Sequence, residues 1–278
     1  MEFSKFQATG NDFILLDARN AQRDWPKLAK AVCQRRFGIG ADGLITVHES
    51  EIADLKMRIF NPDGSEAEAC GNGLRCFAKY AIEANMVSRP DLTIETASGV
   101  RQARACVSNG EVRHAEVSMG MPQFQAEEIP ADVDTHGAPI LSYTLELAEC
   151  QLVVSLVSMG NPHAVSFVSV PVQDMPLATL GPEVERHPVF PHRTNFEIAN
   201  VMNRNKVKAR VWERGVGETL ACGSGACAIA VTGRLLDYVD SQVDIILPGG
   251  ILTISWDGVG EALLNGPVAR VFSGEYPD

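Results

Sequence analysis

The chain contains one cysteine-bearing segment twice: Arg58-Ile59-Phe60-Asn61…Glu66…Ala69-Cys70-Gly71-Asn72-Gly73, and then Arg210-Val211-Trp212-Glu213…Glu218…Ala221-Cys222-Gly223-Ser224-Gly225. Corresponding residues of the two segments are 152 positions apart, just over half of the 278-residue chain. This spacing predicts two similar halves, each presenting one thiol to a shared cleft. Two opposed thiols can remove a proton from one face of a carbon atom and return a proton to the other face.

The repeat extends beyond the cysteine segments. Gly10-Asn11-Asp12 resembles Gly160-Asn161-Pro162, and Thr96-Ala97-Ser98-Gly99-Val100 resembles Leu247-Pro248-Gly249-Gly250-Ile251. Alternating apolar residues bounded by Gly, Pro or Asn predict short strands around each segment. In the first half these are residues 13–17, 44–47, 55–60, 92–96 and 112–118; in the second half they are residues 152–158, 164–168, 206–212, 243–247 and 252–256.

Each cysteine is expected to open a helix, over residues 74–86 after Cys70 and over residues 226–238 after Cys222. The second helix is apolar nearly all round, which predicts that it is fully buried. The predicted fold is therefore α+β, with two pseudo-symmetric, β-rich, barrel-like domains, each wrapped around a central buried helix, and an active site in the cleft between them. Because the last strand can pair back with the first half, the predicted domains are 1–119 with 268–278, carrying Cys70, and 120–267, carrying Cys222.

The composition argues against several classes of protein. The formal net charge is −11, so no basic surface is available to release counterions from a nucleic acid, and no nucleic-acid partner is predicted. No apolar run approaches the ~20 residues of a membrane-spanning helix, so no membrane association is predicted. The first five residues enter a strand-like pattern at once, and we therefore expect no signal peptide and a cytoplasmic protein.

The seven cysteines do not form a disulfide framework, because their number is odd and their spacing irregular. Neither cysteine segment has the tight Cys-x-x-Cys spacing of a zinc site, so no metal is predicted. The cysteines outside the two repeated positions are interpreted as buried, structural side chains: Cys33, Cys76, Cys106, Cys150 and Cys227.

The position of the two cysteines at helix starts suggests their chemistry. A helix N-terminus carries unpaired amide N–H groups and partial positive charge, which favour a thiolate and an anionic ligand. Flanking glycines let such a ligand approach the backbone closely. An α-amino-acid carboxylate held by both helix ends would place its α-carbon between two sulfur atoms, which predicts two-base racemisation or epimerisation. The site must then stabilise the developing carbanion with preorganised donors and by excluding water.

No sequence motif indicates a cofactor. We find no motif for a pyridoxal-phosphate lysine and no Walker lysine. Gly38-Ile39-Gly40-Ala41-Asp42-Gly43 matches G-x-G-x-x-G, but it follows a predicted helix at residues 25–36 and precedes a strand. This is the reverse of the order in a dinucleotide-binding unit, so no nucleotide cofactor is predicted.

The two cysteine segments resemble those of a known family. Asn61-Pro62-Asp63-Gly64-Ser65-Glu66-Ala67-Glu68-Ala69-Cys70-Gly71-Asn72-Gly73-Leu74-Arg75 is similar to the signature of the diaminopimelate epimerases, and residues 213–225 resemble their second cysteine motif. Thr9-Gly10-Asn11-Asp12-Phe13 and Gly160-Asn161-Pro162-His163 are similar too, so the resemblance runs essentially end to end. It implies cofactor-independent interconversion of LL- and meso-diaminopimelate, for lysine and cell-wall synthesis, and is compatible with a homodimer.

The resemblance also implies roles for single residues. Cys70 and Cys222 would be the acid/base pair, with His163 and Glu213 beside the thiols to help set their protonation. The amides of Gly71, Asn72, Gly223 and Ser224 would bind the reacting carboxylate. The residues that hold the rest of the substrate, mainly its distal amino-acid end, would be Asn11, Asn61, Asn161, Asn195 and Arg214, together with Glu213. Gly43 stands where some family members carry glutamine, which leaves a side-chain contact there open.

Other interpretations fit some of the same residues. A proline or hydroxyproline racemase would share the two-thiol plan, although Glu213 with Arg214 favours a substrate that has a second zwitterionic end. A carboxylate-binding or redox-sensing protein would use the paired cysteines to form a disulfide, but the surrounding polar residues argue against this. Asp63 and Glu66 are left open between substrate binding and helix capping.

Overall fold

The computed structural model describes residues 1–67, 70–108, 111–133, 137 and 139–277. Its strands are β1 (Glu2–Ala8), β2 (Asn11–Asp17), β3 (Gly43–His48), β4 (Leu55–Phe60), β5 (Glu66–Ala67), β6 (Asp91–Thr96), β7 (Gly99–Ser108), β8 (Glu111–Ser118), β9 (Tyr143–Glu146), β10 (Gln151–Ser158), β11 (Pro162–Phe167), β12 (Asn195–Asn203), β13 (Lys206–Glu213), β14 (Gly217–Thr219), β15 (Gln242–Leu247), β16 (Gly250–Ser255), β17 (Leu263–Pro267) and β18 (Ala269–Glu275). Its helices are α1 (Trp25–Val32), α2 (Gly71–Glu83), α3 (Leu177–Glu185) and α4 (Gly223–Leu235), with a 3₁₀ turn at Val172–Asp174. Glu68 and Ala69 of the first cysteine segment, and Asp278 of the predicted first domain, lie outside the described residues.

The chain divides into two compact units, unit 1 (Met1–Ser118 with Asn265–Asp278) and unit 2 (Met119–Leu264). Each unit contains one copy of the cysteine segment. β18 pairs antiparallel with β1, which confirms the expectation that the last strand pairs back with the first half.

Strand pairings follow the same order in both units. In unit 1, β1–β2 is antiparallel, β2–β3 parallel, β3–β4 and β4–β5 antiparallel, β4–β6 parallel and β6–β7 antiparallel. In unit 2 the same sequence of directions runs through β10–β11, β11–β12, β12–β13, β13–β14, β13–β15 and β15–β16. The repeat detected in the sequence is therefore a repeat of topology.

A buried helix lies at the centre of each unit. In unit 1, α2 packs against β1, β2, β3, β7 and β8, and residues 71–79 are all buried. In unit 2, α4 packs against β10, β11, β12, β15 and β16, and residues 225–233 are all buried. The predicted architecture of two β-rich halves, each built around a buried helix, is confirmed.

The predicted bounds of these two helices are wrong by three residues at each end. The helices begin at Gly71 and Gly223, directly after the cysteines, where glycine has a low helix propensity that hides the start. They end near Asn85 and Asp237, whose φ values of 53° and 58° lie in the left-handed region and stop a helix. These two residues again lie 152 positions apart, so the helix stop is repeated along with the start.

Some elements are absent from the sequence-based prediction. The helix expected at residues 25–36 ends at Val32. α3 was not predicted, since it contains Pro182, which disfavours a helix interior. Its buried residues Leu177, Leu180 and Val184 join the core of unit 2 and stabilise it through packing. Among the described residues, none of the helices is both long enough and apolar enough to cross a membrane.

Candidate functional site

Cys70 is the N-cap of α2. Its backbone is extended (φ −150°, ψ 118°), as N-cap residues are, and its Sγ accepts a hydrogen bond from the Gly73 N–H at 3.5 Å. The thiol therefore occupies the place that a serine or aspartate oxygen usually takes at a helix start. Its side chain is half-buried.

Two predicted binding residues lie beside Cys70. Asn11, at the start of β2, has its Oδ1 3.8 Å from the Cys70 Sγ and accepts a hydrogen bond from Asn72 Nδ2 at 3.2 Å. Asn11 Nδ2 donates to Asp42 Oδ2 at 2.8 Å. The structure thus brings Cys70, Asn11 and Asn72 together within unit 1.

A cluster of charged groups supports Asn11 from behind. Arg35 donates to Asp42 Oδ1 at 2.7 Å and to Asp12 Oδ1 at 2.8 Å, and Lys5 forms an ion pair with Asp12 at 2.8 Å. Although burial opposes the shift, hydrogen bonds from Arg35 and Lys5 lower the pKa of Asp12 to about 2. Both carboxylates are thus held by cations, and Asp42 in turn orients the Asn11 amide.

Arg75 is a buried cation close to Cys70 that received no role in the sequence analysis. It is fully buried, and its guanidinium donates to Asn72 Oδ1 at 2.8 Å, to Thr9 Oγ1 at 3.2 Å and to the Gly71 carbonyl at 3.3 Å. It places a permanent positive charge in the second turn of α2. The available signal was a lone arginine inside a helix that is otherwise mostly apolar.

Asn61 lies in an exposed turn after β4. Its Nδ2 donates to Ser65 Oγ at 2.9 Å, and the Ser65 amide donates to Asp63 Oδ1 at 2.8 Å. Glu66 forms a two-point ion pair with Arg58, at 2.7 and 2.8 Å. Since Cys70 itself caps α2, the helix-capping alternative for Asp63 and Glu66 is wrong.

Cys222 is the N-cap of α4 and has the same extended backbone (φ −121°, ψ 120°). Its side chain is buried, and its Sγ lies 3.5 Å from Ser224 Oγ. Burial raises the pKa of the Cys222 thiol well above its usual value, and the negative charges of Glu213 and Glu197 raise it further, against a smaller opposing effect of Ser224. Cys222 is therefore held as a neutral thiol.

A buried hydrogen-bonded chain lies on β11 and β12 of unit 2. His163 Nδ1 is 2.7 Å from Glu197 Oε1, and His163 Nε2 is 2.9 Å from Asn161 Oδ1. The side chains of His163 and Glu197 are both 0% exposed. The sequence analysis missed Glu197, whose only signal was a lone charged residue within the apolar run Phe196-Glu197-Ile198.

The remaining predicted residues of unit 2 form a second group. Asn195 donates to the Pro162 carbonyl at 2.8 Å and accepts from the Arg214 amide at 2.9 Å. Its buried side chain thereby ties β11 to the turn after β13. Glu213 accepts a hydrogen bond from Thr219 Oγ1 at 2.6 Å, while the Arg214 side chain is exposed and donates to the His192 carbonyl at 3.1 Å.

The other cysteines follow the prediction only in part. Cys33, Cys76 and Cys227 are buried, as expected, and burial raises the pKa of Cys33 to about 12. Cys150 is exposed and Cys106 is half-buried, so the prediction of burial is wrong for both. Cys150 lies in the turn between β9 and β10, where no core is available to cover it. In the part of the chain that the structure describes, no group of three or more His, Cys, Asp or Glu residues is placed to hold a metal ion.

Solved structures of low sequence identity share the fold. A Bacillus anthracis phenazine biosynthesis protein of the PhzF family superposes with a TM-score of 0.71 at 18% identity, covering 100% of this chain and 99% of that one. A hydroxyproline epimerase from Agrobacterium vitis superposes with a TM-score of 0.72 at 14% identity, covering 99% of this chain and 90% of that one. At such identities the likeness concerns the fold alone.

Comparison of the sequence with known proteins is more specific. A diaminopimelate epimerase from Moorella thermoacetica is 47% identical over 280 residues, spanning 100% of this chain and 99% of that protein. A diaminopimelate epimerase from Methanococcus maripaludis is 42% identical over 277 residues, spanning 99% of each. The family model described as diaminopimelate epimerase matches residues 3–125 and 155–271, a range that includes both capping cysteines. The chain therefore belongs to the diaminopimelate epimerase family.

Proposed function

We propose that this protein interconverts LL- and meso-diaminopimelate, with Cys70 and Cys222 as the acid/base pair that acts on one α-carbon. The observation that carries the proposal is that each cysteine caps the central helix of its unit, at the same point of a repeated topology. Membership of the family supports the choice of substrate. In this proposal the two units are the two halves of the epimerase, and each contributes one thiol.

The helix starts supply the binding site for the reacting carboxylate. The amides of Gly71, Asn72, Gly223 and Ser224 belong to the first turns of α2 and α4, where N–H groups lack intrahelical acceptors. Such amides bind an anion without moving, and they continue to stabilise it as negative charge develops on the substrate. This preorganised stabilisation lets a thiolate remove an α-proton that is far less acidic than a thiol.

Proton transfer needs one thiolate and one thiol. Burial and the charge of Glu213 favour the thiol of Cys222, whereas the permanent charge of Arg75 lies in the helix that Cys70 caps. Cys70 therefore starts as the base and Cys222 as the acid in one direction of the reaction. In the reverse direction the two exchange roles, because the same transition state is crossed.

The distal amino-acid end of the substrate requires both charged and amide partners. Arg214 suits the distal carboxylate, since among the described residues its side chain hydrogen-bonds the His192 carbonyl through one nitrogen, which leaves donors for a two-point contact. Glu213 can accept from the ammonium group, and Asn11, Asn61, Asn161 and Asn195 complete the predicted set. The reaction would serve lysine and peptidoglycan precursor synthesis; a cytoplasmic location and a homodimer stay predictions.

Deuterium uptake tests the proposed reaction. LL-diaminopimelate is incubated with reduced protein in D2O, and ¹H NMR follows both the loss of the α-proton signal and the appearance of the meso isomer. We expect exchange with the wild-type chain and a loss of kcat/KM of at least ~10³-fold for Cys70→Ala and for Cys222→Ala, because each variant lacks one proton-transfer group.

Cys150→Ala is the matched control, since this cysteine is exposed and lies in a turn of unit 2. It should exchange deuterium at the wild-type rate. Near-normal turnover in Cys70→Ala or Cys222→Ala, with circular dichroism showing an intact fold, would refute the two-thiol mechanism. Exchange into proline but not into diaminopimelate would refute the substrate.

A further inference from the structure

The side chains of Glu197, His163 and Asn161 form a series of two hydrogen-bonding contacts. His163 pairs with Asn195, two residues before Glu197 on the neighbouring parallel strand, so the side chains of His163 and Glu197 lie on one face of the sheet. Glu197 Oε1 contacts His163 Nδ1 at 2.7 Å, and His163 Nε2 contacts Asn161 Oδ1 at 2.9 Å. We propose that Glu197 is a positioning residue, which acts through His163 to hold the Asn161 amide with its Oδ1 inward and its Nδ2 directed to the substrate.

The two hydrogen bonds of His163 fix where its ring protons lie. An amide oxygen cannot donate, so the contact between His163 Nε2 and Asn161 Oδ1 requires a proton on Nε2. The contact between Nδ1 and Glu197 Oε1 then contains one further proton, carried either by the imidazole or by the carboxyl group. In both forms the pair has no net charge and Nε2 remains a donor. The contact with Glu197 is therefore compatible with the one state in which His163 Nε2 donates to Asn161 Oδ1.

The groups that face this pair oppose a free negative charge. Burial raises the pKa of Glu197, the interaction with His163 opposes this, and Glu213 from β13 adds to the increase. Cys222, at the start of α4, is also close enough to sense the charge of Glu197. A proton shared between Glu197 and His163 is favourable in these surroundings, because it leaves the buried pair without net charge beside a neutral thiol.

Unit 1 shows that folding does not require a carboxylate at this position. The residue that corresponds to Glu197 is Ile45, and the residue that corresponds to His163 is Phe13, as the pairing registers of β2–β3 and β11–β12 show. A Cβ added to Gly73 would meet Ile45, whereas a Cβ added to the corresponding Gly225 would meet Glu197 Oε1. The same place below a cysteine-capped helix is apolar in one unit and acidic in the other.

Glu197 also has a feature that packing alone does not explain. Within the described part of the chain, its Oε2 is buried and accepts no hydrogen bond. An unsatisfied carboxylate oxygen is destabilising, and an isoleucine, as in unit 1, would avoid it. If Glu197 controls where the His163 protons lie, a glutamate is expected at this position even though it is destabilising.

The inference rests on the proposed function only where it assigns Asn161 to the substrate, and its test separates the two. Protein labelled with ¹⁵N-histidine is titrated from pH 6 to pH 9, and the His163 signals are identified by their absence in His163→Gln. In the wild-type chain we expect a proton on Nε2, because Asn161 Oδ1 accepts from this nitrogen. In Glu197→Gln we expect a mixture of tautomers, since a glutamine amide can either donate to Nδ1 or accept from it.

The kinetic result should match the spectroscopic one. Glu197→Gln should raise KM for LL-diaminopimelate on the order of tenfold, because the Asn161 amide is then in its binding-competent orientation in only a fraction of the molecules. We expect kcat to change by less than about threefold, because Asn161 binds a part of the substrate that does not react. Glu83→Gln is the matched control, since Glu83 also has a buried Oε2 without a hydrogen bond among the described residues but lies at the end of α2. It should change neither KM nor the His163 signals.

Each outcome decides the matter. Unchanged His163 signals in Glu197→Gln would overturn the proposal whatever the activity, and so would altered signals with a wild-type KM. If Glu197→Gln does not fold, Glu197→Asp keeps the charge but shortens the side chain, and it should give the same two changes at smaller size. Failure of the wild-type chain to exchange deuterium would instead overturn the proposed function, while the histidine titration would still report on Glu197.

Discussion

The starts of α2 and α4 have the same backbone conformation but differ in the charged side chains near them. Both helices begin at a glycine after an N-cap cysteine, and both end near a residue with left-handed backbone conformation. These two left-handed residues are 152 positions apart, as the cysteines are. Around Cys70 the buried ionic group is Arg75, whereas around Cys222 the nearby ionic groups are Glu197 and Glu213. The position of Arg75 is occupied by Cys227 in unit 2.

This difference suggests how a duplicated fold can become a two-base catalyst. Two identical turns would give two thiols of equal acidity, with no preference for the one-thiolate, one-thiol state that proton transfer needs. In the proposed mechanism, a cation near Cys70 and the carboxylate of Glu213 near Cys222 favour that state before the substrate arrives. The repeated topology thus supplies equivalent positions for sulfur, and the surrounding side chains make the two sulfurs inequivalent.

The largest expected effect outside the cysteines concerns Arg75. Arg75→Met should lower the free energy of unfolding by about 3 kcal/mol, because three buried acceptors lose a charged donor. Urea denaturation measures this loss. Arg104→Met is the control, since Arg104 is exposed and its ion pair with Asp91 should contribute little to stability. Equal losses in the two variants would show that Arg75 is not a buried anchor.

The same glycine substitution should have different effects in the two turns. A Cβ at Gly225 would lie 2.8 Å from Glu197 Oε1, so Gly225→Ala should destabilise unit 2 by about 2 kcal/mol. A Cβ at Gly73 would lie 3.2 Å from the end of the flexible Ile45 side chain. Gly73→Ala should therefore stay within ~1 kcal/mol of the wild type, since the better helix propensity of alanine offsets the contact. Calorimetric unfolding compares them, and a larger loss for Gly73→Ala would contradict the difference described here.

Removing a negative charge beside Cys222 should shift its reactivity with pH. Burial is the main cause of the raised pKa of this thiol and the charge of Glu213 adds to it, so Glu213→Gln should favour the thiolate and move the pH midpoint of iodoacetamide alkylation downward. Mass spectrometry of the Cys222 peptide, in a Cys70→Ala background that avoids coupled titration, follows the reaction. Glu218→Gln, which alters a carboxylate paired with Arg210, should leave the midpoint in place. An upward shift of the midpoint in Glu213→Gln would contradict the conclusion that Glu213 raises the pKa of Cys222.

The smallest effect concerns an ion pair that also occurs twice. Arg58 pairs with Glu66 and Arg210 with Glu218, each through two hydrogen bonds of 2.7–2.9 Å. Arg58→Met should lower the free energy of unfolding by about 0.5 kcal/mol, as for other exposed pairs. Arg210→Met should lower it by about 1.5 kcal/mol, since Arg210 also donates to two backbone carbonyls ahead of α3. Urea denaturation measures both losses, and a larger loss for Arg58→Met than for Arg210→Met would contradict this prediction.

Local patterns accounted for much of the fold in advance. The strands around each cysteine, the two central helices and the burial of α4 could be predicted because each depends on hydrophobic periodicity over a few neighbouring residues. The unpredicted helix α3 shows the limit of such patterns, because packing outweighs the unfavourable proline within it. Cys150 shows that residue type alone does not predict burial, since this cysteine lies in a turn and is exposed.

Local sequence was enough to predict that two cysteines open two equivalent helices, since the repeat, the flanking glycines and the following apolar residues are all close together in the chain. It also determined the family, because both motifs are long. Folding, by contrast, brings Arg75 to Thr9 and Glu197 to His163. These two contacts join residues that are 66 and 34 positions apart in the sequence. They also involve buried charged groups, and the energy of a charge depends on its partners and on its distance from water.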